Sequence, residues 1–139
     1  MIMSNEKVPN SPKNVKVQRR AKTERRYTPV ADVLDLCRVI EGHGDRIAYT
    51  YFDKSRNLHD MTYGELGRLI KEVAAGITEI GLAGKRIAVI GETSVEWVAS
   101  YMAILASGGV AIPMDKELQI SEIEGFLESV DASAVIYSA

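Results

Sequence analysis

The sequence predicts an α/β fold: a β-hairpin followed by a partial parallel sheet with crossover helices. Three observations carry this. The runs at residues 86–90, 109–113 and 134–137 are apolar on both faces, as strands covered on both sides are. They alternate with amphipathic stretches of roughly ten to fifteen residues, the spacing of right-handed strand–helix–strand units. Upstream, two short strand-like runs flank the turn cluster Asp53-Lys54-Ser55-Arg56-Asn57.

The elements follow in order. Thr28-Pro29 reads as a cap with proline at the first helical position. Val30, Val33, Leu34, Cys37 and Ile40 then recur at helical spacing until Gly42 and Gly44. Arg46 to Phe52 alternates, with Ile47, Tyr49 and Tyr51 on one side and Ala48, Thr50 and Phe52 on the other; Leu58 to Met61 returns as the second strand. Thr62 caps the next helix, with Glu65 completing a capping box and Met61 opposite Leu66 as a hydrophobic staple. Its apolar face is Leu66, Leu69, Ile70, Val73, Ala74 and Ile77, and Gly81 ends it. After the strand at residues 86–90, Ser94 or Thr93 caps a helix running through Met102 and Leu105. Ser121 is expected to cap the last helix, with Glu124 three residues on and Ile123, Phe126, Leu127 and Val130 as its stripe.

Composition narrows the function. One cysteine among 139 residues excludes a disulfide framework and a cysteine-based zinc site, and two histidines make a histidine-rich metal site untenable. Aromatic residues are only 6%, too few for a base-stacking surface, so no nucleic acid partner is expected. Residues 1–28 carry eight Lys/Arg against two acids, whereas the remainder is acidic. The reading is a mobile basic arm over residues 1–27 attached to a body at 28–139. The arm has no apolar run or small-residue cleavage site, so it is not a secretory signal. Its charge suits weak contact with anionic lipid surfaces. Trp97 to Met114 lacks charge, but Gly108-Gly109 and Pro113 interrupt it; it reads as a helix followed by a buried strand, not a membrane span. A cytoplasmic location is expected.

Chemistry is sparse. Gly81-Leu82-Ala83-Gly84-Lys85 superficially matches a phosphate loop. Glu79 stands where the first glycine belongs, Arg86 where Ser or Thr belongs, and the turn leads from helix into strand instead of the reverse. Gly91-Glu92-Thr93-Ser94 lies where an open α/β sheet binds ligands, but Glu92 and Glu96 would repel an anion, so plain capping is favoured. Asp115 could pair with Glu92 as a metal-binding acidic cluster, but two acids with no companion lysine at a third strand end make a weak case. Cys37 reads as a buried reduced thiol, His43 and His59 as solvated, and Trp97 as a packing anchor. No residue is assigned as catalytic, cofactor-binding or metal-binding.

Three segments in order resemble the N-terminal part of the AMP-forming adenylate ligases, the superfamily of acyl-CoA synthetases, luciferases and peptide-synthetase adenylation domains. Met61-Thr62-Tyr63-Gly64-Glu65-Leu66 is similar to the family's Leu-Thr-Tyr-x-Glu-Leu helix start. Gly84 to Ile90, running into Glu92-Thr93-Ser94-Val95-Glu96-Trp97, resembles its strand and helix entry, with Thr93 in place of asparagine and Val95 in place of proline. Leu105 to Asp115 resembles its Gly-x-x-Val-x-Pro-Leu/Ile-Asp segment, and Asp45-Arg46-Ile47-Ala48 its lead-in, with Gly44 in place of proline. The glutamate-tryptophan entry leans toward the long-chain fatty acyl-CoA ligase branch.

The resemblance covers about residues 28–138 and implies a parent enzyme that uses ATP, magnesium and coenzyme A. The family's phosphate loop and catalytic segments follow the part matched here. The segment is therefore expected to be a scaffold, inactive alone, and partnered by the remainder of its ligase domain. The unpaired strand edges predict a homo-oligomer. The alternative is a stand-alone doubly wound binding or signalling module.

Overall fold

The computed structural model describes residues 28–138 other than Lys54; the expected basic arm at 1–27 lies outside them. The architecture is mixed α/β, with two small sheets. Helix α1 (Val33–Gly42) leads into a hairpin of β1 (Ile47–Phe52) and β2 (Leu58–Thr62), and α2 (Tyr63–Glu79) follows. Then β3 (Arg86–Ile90), α3 (Val95–Ala106), β4 (Val110–Met114), α4 (Ile120–Ser129) and β5 (Ala134–Tyr137) complete the order. The hairpin is antiparallel, and the second sheet is parallel with order β4-β3-β5.

Helix α1 starts later than Thr28-Pro29 suggests. Asp32 is the cap: its Oδ1 accepts Asp35 N–H at 2.8 Å, and Asp35 Oδ2 accepts Ala31 N–H at 3.1 Å. A carboxylate closing the first turn outcompetes a proline placed before it, leaving Thr28, Pro29 and Val30 outside the helix. In β1, Ile47 pairs with Thr62 while Tyr49 pairs with Met61, so Ala48 is an extra residue. This bulge resets the alternation. Ala48, Tyr49 and Tyr51 pack toward the core, whereas Ile47, expected beside Tyr49, is 57% exposed.

Thr62 makes the expected capping box: its Oγ1 accepts Glu65 N–H at 3.2 Å, and Glu65 Oε2 accepts Thr62 N–H at 2.8 Å. Leu66, Ile70 and Ile77 on α2 are buried against Ile87 and Val89 of β3 and Ala99, Ala103 and Ile104 of α3. Each buried Leu, Ile or Val side chain among them contributes about 1.5–3 kcal/mol of transfer free energy. Lys71 of α2 pairs with Glu41 of α1.

Between α3 and β4 the chain turns tightly enough that a Cβ at Gly109 would stand 2.7 Å from Lys85 O. Strand β4 begins one residue after its sequence-based start. Helix α4 begins at Ile120, not after Ser121: Glu122 Oε2 accepts Gln119 N–H at 2.9 Å, which fixes the first turn two residues earlier. No residue of α4 is buried.

Candidate functional site

The strands β3, β4 and β5 all end at one side of the sheet, the position where an open α/β sheet presents its ligand crevice. Three chain segments meet there: Gly91 to Ser94 after β3, Asp115 to Glu117 after β4, and Ser138 after β5. Gly91 has φ +156°, and a Cβ there would collide with Ser138 Oγ. Glycine is what allows the β3 and β5 exits to approach.

A small cleft of about 90 Å³ lies beside them, lined by Val89, Ile90, Ser94, Glu96, Trp97, Ser100, Ile136, Tyr137 and Ser138. Ser94 Oγ accepts Trp97 N–H at 3.2 Å, the plain helix cap expected of it. Trp97 stacks on Tyr101, with ring centroids 5.6 Å apart, and packs against the core. It therefore anchors α3 and also forms one wall of the cleft.

The acids at the strand ends do not gather into a metal site. Lys116 Nζ donates to Glu92 Oε1 at 2.5 Å, tying the β4 exit to the β3 exit. That hydrogen bond and the lysine's charge hold the Glu92 carboxyl below its ordinary range, and Glu92 in turn raises Lys116. Asp115 Oδ1 instead accepts Glu117 N–H at 2.9 Å. Among the described residues no three His, Cys, Asp or Glu side chains group as metal ligands. The Lys116–Glu92 pair escapes sequence reading because its members are 24 residues apart. The available signal was an isolated lysine directly after Asp115.

The other candidates also have structural roles. Cys37 is buried, and burial pushes its thiol up despite the charge of Lys71, so it is a poor nucleophile. His59 is more than solvated: Nε2 lies 2.9 Å from Asp53 Oδ2, and its ring stacks on Tyr51. Hydrogen bonds from His59 and Asn57 hold the Asp53 carboxyl well below the usual carboxylate range. His43 meets the Tyr63 ring edge-on at 5.1 Å. The Gly81-to-Lys85 turn exits α2 as expected, with Leu82 N–H donating to Ile77 O at 2.9 Å and Lys85 N–H to Leu82 O at 3.1 Å.

These residues do not fit a nucleotide. Small-molecule pockets run to about 300–1,000 Å³, and the cleft here is about 90 Å³. Glu92 and Glu96 stand at the α3 N-terminus, where a phosphate would need positive charge.

The arrangement defines a piece of an open parallel α/β sheet packed on a helical layer. The sequence pattern of the AMP-binding enzyme family matches residues 36–139, and the chain belongs to that family. It is 31% identical over 80 residues to the long-chain-fatty-acid–CoA ligase FadD13 of Mycobacterium tuberculosis, covering 57% of this chain and 16% of that protein. It is 31% identical over 77 residues to surfactin synthase subunit 1 of Bacillus subtilis, covering 55% of this chain and 2% of that one. The N-terminal subdomain of Klebsiella oxytoca NpsA superimposes with a TM-score of 0.66 at 26% identity, covering 76% of this chain and 27% of that one. The chain thus spans between 2% and 16% of the length of these curated relatives. No helix among the described residues is long and apolar enough to cross a membrane.

Proposed function

We propose that this chain is the N-terminal scaffold segment of an AMP-forming acid–thiol ligase. In that reaction a carboxylate attacks the α-phosphate of ATP, pyrophosphate leaves, and the acyl-adenylate passes its acyl group to the thiol of coenzyme A, releasing AMP. Magnesium offsets the phosphate charge as it develops. The observation that carries the reading is the continuous β3–α3–β4 unit. Its residues from Gly84 to Asp115 are the ones that resemble the family, and they fall inside the family match at 36–139.

The segment's own contribution is structural. It supplies a strand platform and a rigid α1–α2–α3 layer, while phosphate binding and catalysis belong to other parts of the ligase, its partner in the working enzyme. The lean toward fatty acids rests on Glu96-Trp97 at the α3 entry and is supported by the fatty-acid ligase among the relatives.

Two measurements test the proposal. Residues 36–139, exchanged for the matching segment of the M. tuberculosis ligase, should give a folded chimera that retains ATP–pyrophosphate exchange. A folded chimera without exchange would overturn the scaffold role. Calorimetry of the chain with ATP and magnesium should show no binding; a dissociation constant in the low micromolar range, about −8 kcal/mol, would overturn its inactivity.

A further inference from the structure

The bulge in β1 leaves a space in the inner layer. Strict alternation would turn Ile47 inward with Tyr49 and Tyr51. The extra residue instead turns Ile47 out to water and puts Ala48 beside Tyr49 on the core side. A methyl group therefore stands where the pattern placed a four-carbon side chain. Beside it lies a cavity of about 270 Å³, three times the volume of the cleft at the strand ends, with which it shares no residue. Its lining comes from α1, β1, α2 and α3. Leu66 and Ile70 of α2 are its most buried members, and Val98 and Met102 of α3 stand with Ala48 and Tyr49 around them. No charged side chain lines it, and the only polar side-chain groups are the hydroxyls of Tyr49 and Tyr63. Close-packed interiors hold few voids larger than a water molecule, and bulges re-aim side chains beside binding sites. Water is a poor occupant here, since a buried water needs several polar partners.

We propose that this cavity is a binding site for an uncharged apolar molecule with the bulk of one or two aromatic rings. An apolar cavity of about 150 Å³ stays dry and holds benzene, so the space is ample. A charged ligand is excluded, because the lining offers no counter-charge and an unpaired buried charge is costly. The walls belong to four elements of this chain, and a neighbour laid over the mouth would close the cavity and leave those walls in place. The inference goes beyond the ligase reading and does not depend on it: the reacting group of that reaction is a carboxylate, and this site takes none.

Benzene titrated into the 139-residue chain, with the methyl resonances followed by NMR, tests it. The methyls of Ile70, Val98 and Met102 should shift along a saturable curve, while those of Val110 and Val135, exposed on the sheet, stay where they are. Benzoate, of similar bulk but charged, should bind at least tenfold more weakly. Ala48→Leu and Val98→Phe fill the cavity from β1 and from α3, so that one remains informative if the other unfolds. Each should weaken benzene at least tenfold with the circular dichroism spectrum unchanged. Phe126→Ala, on exposed α4, should leave binding as it is. No saturable shift, shifts spread over the exposed apolar side chains, benzoate binding as well as benzene, or an affinity that survives a folded filling variant would overturn the proposal.

Discussion

Helices α2 and α4 both carry an apolar stripe at helical spacing, and the structure treats them differently. α2 buries Leu66, Ile70 and Ile77 in a core shared with α1, α3 and β3. α4 buries nothing: Ile120 is 76% exposed and Phe126 46%. The sheet shows the same division. Ile87, Ala88 and Val89 of central β3 are essentially inaccessible, while Val110, Val135 and Tyr137 of the flanking strands are open. An apolar stripe states that a helix requires cover, and only the presence of a neighbour decides whether it has any. The inner layer is finished within this chain. The outer layer has the composition of a core and the exposure of a surface, which fits the place proposed for this segment within a larger ligase domain.

The strongest way to break this contrast is to truncate matched side chains on the two sides. Ile104 is fully buried, so Ile104→Ala should cost about 2–5 kcal/mol through lost transfer energy and a residual cavity. Phe126→Ala should cost less than about 1 kcal/mol, because the ring is already half in water. Urea denaturation of the two variants measures this; comparable losses would mean that α4 is packed as firmly as α3 in the inner layer. Gly109→Ala comes next. Its Cβ would press on the Lys85 carbonyl and on Ile104, backbone and core together, at a cost of about 1–3 kcal/mol. An unchanged midpoint would show that the α3–β4 turn relaxes freely.

Capping sharpens the comparison and separates what the sequence could reveal from what it could not. Thr62→Ala removes the hydroxyl side of the capping box, leaving the backbone N–H of residue 62 to Glu65, and should cost about 1 kcal/mol. Ser121→Ala, at the position expected to cap α4, should change stability by less than about 0.5 kcal/mol, since the observed first turn is closed by Gln119 and Glu122. If Ser121→Ala is the costlier change, α4 starts where the sequence pattern alone puts it. α2 and β3 were legible because every cue agreed there: cap, staple, periodicity and a terminating glycine. The start of α1 was not, because Pro29 and Asp32 are both good first-turn signals and a side-chain hydrogen bond chose between them. The β1 bulge was not, because one extra residue leaves composition and length unchanged while moving Ile47 into water. The strand ends were legible as positions but not as chemistry, since the Lys116–Glu92 pair arises only when β3 and β4 align.

The smallest expected effect is electrostatic and lies at that pair. Glu92 is held below its ordinary value of 4.5 chiefly by the hydrogen bond from Lys116, and then by its charge. A carboxyl depressed in the folded state stabilises the fold above its unfolded value and loses that contribution as pH falls through the folded value. The pair is solvent-exposed, which keeps the effect small and sensitive to salt. Stability of the parent chain and of Glu92→Gln should therefore differ slightly near neutral pH, and the difference should shrink as pH drops below about 4.5. Glu65 and Asp53 are depressed for the same kind of reason, so both proteins should lose stability together in acid, and only the difference between them reports on Glu92. Denaturation midpoints at several pH values in low salt, repeated in high salt, make the measurement. A difference that grows as pH falls would reverse the sign worked out here. It would mean that Lys116 does not pair with Glu92 in solution, and the two strand exits would then be free to separate.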